Sequence, residues 1–424
     1  MNPNPLLKKQ ASLLELDKET KRSLENKTKL LVSLIKEEIE RQNIQAATFL
    51  GGSFAKGTLI KKDVYDVDLF IRFDWRYEDL SGLLAKIVEK ISKKAHMPFK
   101  LLHGSRDYFQ LTADKSLVFE IIPVYQIKKP KEARNVTDLS YFHVSYVKKK
   151  LHNDQVRAQV MLAKMFCQAQ RVYGAESYVK GFSGYGLECL IIHYKSFLNM
   201  LKKLVKVKER VIIDLDKHYK NESDVLLSVN ESRLKSPIIL VDPTWKERNV
   251  LAALSKESFN RFQEVARSFL ASPSSSFFEV KEFNPEAKGK SSKNAESLHL
   301  KIKTDKQAGD IAGTKMKKFS EFLSHELGHY FEISKKDYVY SGEQESDFYI
   351  ILKRKDKIIL FGPPKGMEAH AQAFKKAHKN VFEKSGRLYS ELKIDFSAKQ
   401  FVQKFIKEEK DKIKEMGITS LTVL

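Results

Sequence analysis

Three acidic residues and one glycine-rich turn carry the chemistry legible in this sequence. Asp66 and Asp68 sit in YDVDLFIRF (65–73), a run whose remaining positions are mostly apolar. Side chains at i and i+2 of a strand leave the same face, so the two carboxylates project together. Val67, Leu69, Phe70 and Ile71 around them fit a strand buried in a sheet. Two carboxylates at the rim of a core are costly unless a cation lies between them. Mg2+ suits such an all-oxygen ligand set. Upstream, Gly51, Gly52 and Ser53 form a turn that lets an anion approach the backbone and offers it a hydroxyl. Lys56, Thr58, Lys61 and Lys62 add positive charge and a donor. Phosphate on one side and metal carboxylates on the other amount to nucleotidyl transfer. Alone, a GGS turn is usually only a turn and an Asp-x-Asp strand a solvated edge; with twelve residues between Ser53 and Asp66 the pair is specific.

A third acid, Glu120, interrupts the apolar run LVFEIIPVY (117–125). An unpaired carboxylate there would be expensive. If its strand neighbours that of Asp66 and Asp68, Glu120 completes the site; otherwise it faces outward at an edge. Three carboxylates can hold two divalent cations, one activating a hydroxyl and one gathering a triphosphate. Such chemistry rests on positioning and charge neutralisation. It needs no nucleophilic side chain, and the sequence offers no convincing Ser-His-Asp or Cys-His set. The combined GGS and Asp-x-Asp pattern resembles the polymerase-β-like nucleotidyltransferases.

The elements that must position these groups follow from patterning. The 424 residues allow two to four domains with ample core. Helical periodicity marks 11–43 and 77–94, with strands at 99–103, 108–112 and 117–125. A helical region follows from Ser140, which is expected to cap a helix carrying His143, with further helices at 154–173 and 184–208. Short strands at 211–214 and 238–241 precede a helix capped by Ser255. The serine-, lysine- and glycine-rich stretch 281–297 fits a linker or exposed loop. Mixed strands and helices then run to the end. The expected organisation is a multidomain α+β chain. It comprises a catalytic head (1–135), a mainly helical, nucleotide-binding neck (136–280), the linker (281–297) and an α+β body and tail (298–424).

Charge points to the partner. Lys and Arg total 76 against 54 Asp and Glu, a net +22, which favours a polyanion and nucleic acid before a membrane surface. Lys202, Lys203, Lys206 and Lys208 form a basic run suited to RNA phosphates, although such runs are most often solvated helix faces. No apolar run spans a membrane, and the N-terminus lacks a signal-peptide pattern, so a cytoplasmic protein is expected. Cys167 and Cys189 lack metal-ligand spacing and fit small hydrophobes on helices.

One motif is a decoy. His325-Glu326-Leu327-Gly328-His329 matches the zinc-protease pattern. Its core stripe runs through Phe319, Phe322, Leu323 and Tyr330, away from both histidines. Glu332 and Lys335 stand where the extended motif needs Gly and His. Two exposed histidines are expected there.

The order of blocks is similar to one family, the archaeal-type (class I) CCA-adding tRNA nucleotidyltransferases. GGSFAKGTLIKK and YDVDLFIRF resemble its head motif, and FEIIPVYQI its third-carboxylate strand. TDLSYFHVSYV, QVRAQVMLAKMFCQAQRVYGAES, VKGFSGYGLECLIIHYKSFL and ILVDPTWKERNVLAALS resemble its neck segments. The likeness covers about residues 45–278. It implies stepwise addition of C, C and A to the 3′ end of tRNA from CTP and ATP, with Mg2+ and no template. Asp66, Asp68 and Glu120 would bind two metal ions, and Gly52, Ser53 and Lys56 the triphosphate. Ser140, His143, Lys164 and Tyr173 would hold the nucleotide's sugar and phosphates, with Arg248 beside the base. The C-terminal domains would grip the acceptor end and its stacked arm, and a homodimer is left open. Asp66 and Glu120 stand where the family often has Glu and usually has Asp, which moves each carboxylate by one methylene. Ser140 stands where Thr is expected. Two alternatives remain: a poly(A) polymerase or oligoadenylate synthase type of transferase, and a non-catalytic RNA-binding protein.

Overall fold

The computed structural model describes residues 2–104, 106–280 and 295–424. The chain divides into two compact units after Val280. The first contains a head and a neck with separate cores.

The head is a five-stranded sheet in the order β1-β2-β5-β4-β3. Its strands are β1 (Ala46–Leu50), β2 (Tyr65–Phe73), β3 (Phe99–Leu102), β4 (Tyr108–Asp114) and β5 (Leu117–Tyr125). Only β2 and β5 pair in parallel; the other neighbours are antiparallel. Along β2, Val67, Leu69, Ile71 and Phe73 are buried, while Asp66 and Asp68 lie on the opposite face. After a first helix, α1 (Asn4–Leu14), the apolar face packs with Leu31, Ile35 and Ile39 of α2 (Lys18–Arg41) and, beyond the short α3 (Gly52–Lys56), with Leu84, Ile87 and Ile91 of α4 (Leu80–Ala95). Asp17 and Asp79 cap these helices through Thr20 N (2.7 Å) and Gly82 N (2.8 Å).

The neck core is built from helices α5 (Ser140–Lys150), α6 (Asp154–Ala169), α7 (Gly184–Tyr194), α8 (Phe197–Leu204) and helix 256–271, with a short parallel pair at 211–214 and 238–241. Phe166 sits at its centre, 5.4 to 6.0 Å from the rings of Phe197, Phe262, Phe269 and Phe278. Cys167 and Cys189 are buried there as free thiols, as expected.

Four boundaries differ from expectation. The helix Asn4–Leu14, numbered within the head, buries Leu7, Ala11 and Leu14 in the neck core. The helix expected over 184–208 is two helices, because Lys195 adopts a left-handed conformation (φ 68°) and Ser196 caps α8 through Asn199 N. Ser140 does not cap α5: a 3-10 turn, Val136–Leu139, leads directly into the helix, and Asn135 does the capping. Of the expected linker, 281–294 lie outside the described residues, while 295–297 are strand. Polar composition there yields to backbone pairing, since Ala295, Glu296 and Ser297 pair with Lys353, Leu352 and Ile351.

The second unit holds a four-stranded antiparallel sheet (295–303, 331–340, 345–354 and 420–423) against helices 310–330 and 398–408, and a separate three-stranded sheet. Among the described residues no helix is long and apolar enough to cross a membrane.

Candidate active site

The two halves of the expected carboxylate cluster meet across the parallel pair. In the register of β2 and β5, Asp68 stands opposite Glu120 and Asp66 opposite Val118. Burial and the neighbouring Asp66 charge push the Asp68 carboxyl up to about 6. Burial, then Asp68 and Asp66, push Glu120 up to about 7, against a hydrogen bond from Gln110 on β4. Both shifts report burial first and crowded negative charge second, and a bound cation would relieve the crowding. Lys62 pairs with Asp66 at the exposed edge of this cluster. The donor set, three carboxylates and no nitrogen or sulfur, fits a hard divalent ion.

The turn before β2 is shaped around Asp68. Gly51 N donates to the Asp68 carbonyl (2.9 Å), and Gly52 takes φ +59°. A Cβ on Gly52 would fall 1.6 Å from Asp68 Oδ2, so only glycine leaves the carboxylate in place. A short helix, 52–56, follows and carries half-buried Ser53 and Lys56; it ends at Gly57 in the left-handed region, where Thr58 N returns to Ser53 O (3.0 Å).

Lys56 joins head to neck. Its ammonium donates to Glu188 Oε2 of α7 at 2.7 Å. Glu188 Oε1 accepts from Lys164 Nζ of α6 (3.1 Å) and Thr58 Oγ1 (3.1 Å), and Lys164 also donates to Thr58 (2.9 Å). Burial would raise the Glu188 carboxyl, but Lys56 and Lys164 outweigh it and hold it below its ordinary value. Burial pulls Lys164 down against the attraction of Glu188. Tyr173 reaches the same place, its hydroxyl and Lys164 Cε both flanking Gly184.

A second cluster surrounds Asp242, which is fully buried. It accepts from His143 Nε2 (2.9 Å), Arg248 Nη1 (2.7 Å), Tyr185 Oη (3.2 Å) and both the amide and hydroxyl of Thr244 (2.8 Å each). The His143 ring stacks on Tyr185, 4.1 Å between centroids. Burial opposes ionisation of Asp242, yet His143 and Arg248 hold its carboxyl far below the ordinary range. Burial lowers His143 despite Asp242, and the charge on Lys56 is felt there too. The expected residues Lys56, His143, Lys164, Tyr173 and Arg248 therefore fall into two adjoining networks, while half-buried Ser140 lies one turn ahead of His143 on α5.

Comparison with known proteins bears on this arrangement. The family description "Nucleotidyltransferase domain" matches residues 32–138, and "tRNA nucleotidyltransferase, second domain" matches 158–279. A CCA-adding enzyme of Nanoarchaeum equitans is 33% identical over 82% of this chain and 84% of its own length. The chain belongs to the CCA-adding enzymes. A second relative with that name, from Methanocaldococcus jannaschii, is 27% identical over 92% of this chain and 88% of its own. The fold of the Cid1 poly(U) polymerase is shared at a TM-score of 0.51 and 13% identity, covering 65% of this chain and 98% of the other. Membership in the CCA-adding enzymes makes this protein a tRNA nucleotidyltransferase on a polymerase-β-like fold.

Other expected residues of this CCA-adding enzyme lie apart from the cluster. Lys202, Lys203, Lys206 and Lys208 are exposed at the end of α8, whose Leu201 and Leu204 are buried. His325 and His329 are exposed as expected; with Glu326 their ligand atoms lie within 4.8 Å of one another, on a helix of the second unit. Two participants were not expected, Glu188 and Asp242, while Thr58, expected as a donor beside the turn, bonds with Glu188 and Lys164. A signal existed for Glu188, an acid inside the apolar stretch LECLII, and for Asp242, which directly follows IILV.

Proposed function

We propose that this protein adds C, C and A stepwise to the 3′ end of tRNA, using CTP and ATP, releasing pyrophosphate and using no nucleic-acid template. The observation that carries the reading is the register that puts Glu120 opposite Asp68, because it brings three carboxylates from two separate strands to one face of the sheet. Asp66, Asp68 and Glu120 hold Mg2+, with two ions for three carboxylates. When bound, the ions supply activation of the RNA 3′-hydroxyl and charge neutralisation at the triphosphate.

The remaining work belongs to the chain. Gly52 and Ser53 let the triphosphate approach the backbone, and Lys56 and Lys164 meet its charge with ammonium groups already fixed by Glu188. Fixed charges in a site closed to water stabilise phosphoryl charge without reorganising during the reaction. Ser140, His143 and Tyr173 position the sugar and phosphates, and Arg248, fixed by Asp242, lies beside the base. The exposed lysines of α8 and of the residues just after it, with the net positive charge, hold RNA phosphates, and the C-terminal unit reads the shape of an A-form stem.

The test is a tRNA lacking its 3′ CCA, incubated with Mg2+ and with CTP and ATP separately and together. Two additions from CTP alone, and a third only with ATP present, are expected. Long adenylate tails from ATP alone would replace this reading with a poly(A)-type transferase. Tight binding with no extension would leave an RNA-binding protein.

A further inference from the structure

Glu188 is fully buried on α7, between Leu187 and Cys189, which are equally buried. An ionised carboxylate in such surroundings is costly unless every lone pair finds a donor. Here Lys56, Lys164 and Thr58 supply the donors at 2.7 to 3.1 Å. Two of these donors are cations that would repel one another in a site closed to water. The carboxylate between them is what holds the two ammonium groups side by side. The charges reach the reacting centre: Lys56 acts on Asp68 and on His143, and Lys164 acts on Asp68.

The donor count is also informative. An ammonium group has three N–H donors. Among the described contacts Lys56 uses one, on Glu188, and Lys164 uses two, on Glu188 and Thr58. Three N–H groups are thus unused by these contacts, two of them on half-buried Lys56. One acid against two cations leaves a net positive charge, so the network is satisfied without ligand yet still attracts phosphate. A contact serving only to fasten head to neck would be satisfied by one lysine and one acid.

We propose that Glu188 is a positioning residue for the triphosphate, holding the side chains of Lys56 and Lys164 adjacent so that the pair receives the terminal phosphates of CTP or ATP. The proposal rests on the reading of those two lysines as triphosphate contacts. Glu188 touches no phosphate itself and acts through the ammonium groups.

Full-length protein in Mg2+ would be titrated with CTP and with CMP, which lacks the terminal phosphates. The isosteric Glu188→Gln should weaken CTP binding by about tenfold or more and CMP binding by less than about twofold, as expected for loss of a charge-assisted pair. In steady state its KM for CTP should rise more than its kcat falls. Glu188→Asp, which keeps the charge but withdraws it by one methylene, should fold and fall between wild type and Glu188→Gln, so the idea stays testable if the glutamine variant is unstable. Adding Glu188→Gln to a Lys56→Met/Lys164→Met protein should cost no further CTP affinity. A folded Glu188→Gln with a lower melting temperature but an unchanged ratio of CTP to CMP affinity would overturn the proposal and leave Glu188 a fastener of head and neck. If Lys56→Met and Lys164→Met leave that ratio unchanged, the reading of the lysines fails, and the proposal with it.

Discussion

Asp68 and Glu120 stand directly opposite each other on parallel strands β2 and β5. Antiparallel β4 lines the other side of Glu120 and places Gln110 against it. The acids are thus held by backbone pairing, and the site's charge is set by strand register. A slip of one residue would turn Glu120 to the opposite face of the sheet.

This crowding predicts how stability depends on pH without metal. Between the ordinary carboxylate value of 3.8 and about 6, the folded state keeps a proton on Asp68 that the unfolded state has released. Stability from this group therefore falls as pH rises through that window and is level above it. In EDTA at pH 8, Asp68→Asn should raise stability by on the order of 1 kcal/mol, allowing for partial exposure, with the gain vanishing near pH 4. Mg2+ should stabilise wild type and leave the variant unmoved. Thermal unfolding with and without metal checks this; a gain that persists at pH 4 would refute it.

If Asp68 holds metal as proposed, Asp68→Ala should reduce nucleotide transfer by about a thousandfold or more while tRNA binding changes little. Comparable loss of both activities would count against the metal role.

Gly52→Ala adds a single methyl group, yet its Cβ would lie 1.6 Å from Asp68 Oδ2 on a backbone with φ +59°. The expected loss of activity is about a hundredfold, with a destabilisation of roughly 1–2 kcal/mol. Near-normal turnover in a well-folded alanine variant would show that Asp68 can move aside without consequence.

Asp242→Asn keeps shape but removes the charge shared by His143 and Arg248. Breaking such a buried pair should cost about 3 kcal/mol. The Asp242 carboxyl is depressed in the folded state, so its contribution is present above the unfolded value of 3.8 and is lost as pH falls. The gap between wild type and variant in a melting series should thus close on acidification. If Arg248 sits beside the base, the variant should also discriminate less between CTP and ATP.

Phe166→Ala removes the ring at the centre of the neck's phenylalanine cluster. A loss of about 3–5 kcal/mol is expected from denaturant titration of the intact chain.

Much of this arrangement was legible because the signals were local. Alternation in β2 and the lone acid in LVFEIIPVY foretold the carboxylates, and the periodicity of 11–43 and 77–94 foretold the helices behind the sheet. The same signal, an acid stranded among apolar residues, is present at Glu188 in LECLII. Its partners lie 24 to 132 residues away, so no pattern within the helix names them. Asp242 was hidden for a similar reason: His143 is 99 residues distant, and the sequence around Asp242 reads as the end of a strand. The break at Lys195 turns on one left-handed residue that is not glycine, which spacing does not signal.

The helix Asn4–Leu14 packs with Phe278 in one core, although 263 residues separate Leu14 from Phe278. The place of this helix is made by residues far along the chain, chiefly those of α6 together with the turn that holds Phe278. The helix after it, 18–41, can settle on the head sheet far sooner. Closing so long a loop makes docking of this helix the expected slow step in the protein's folding.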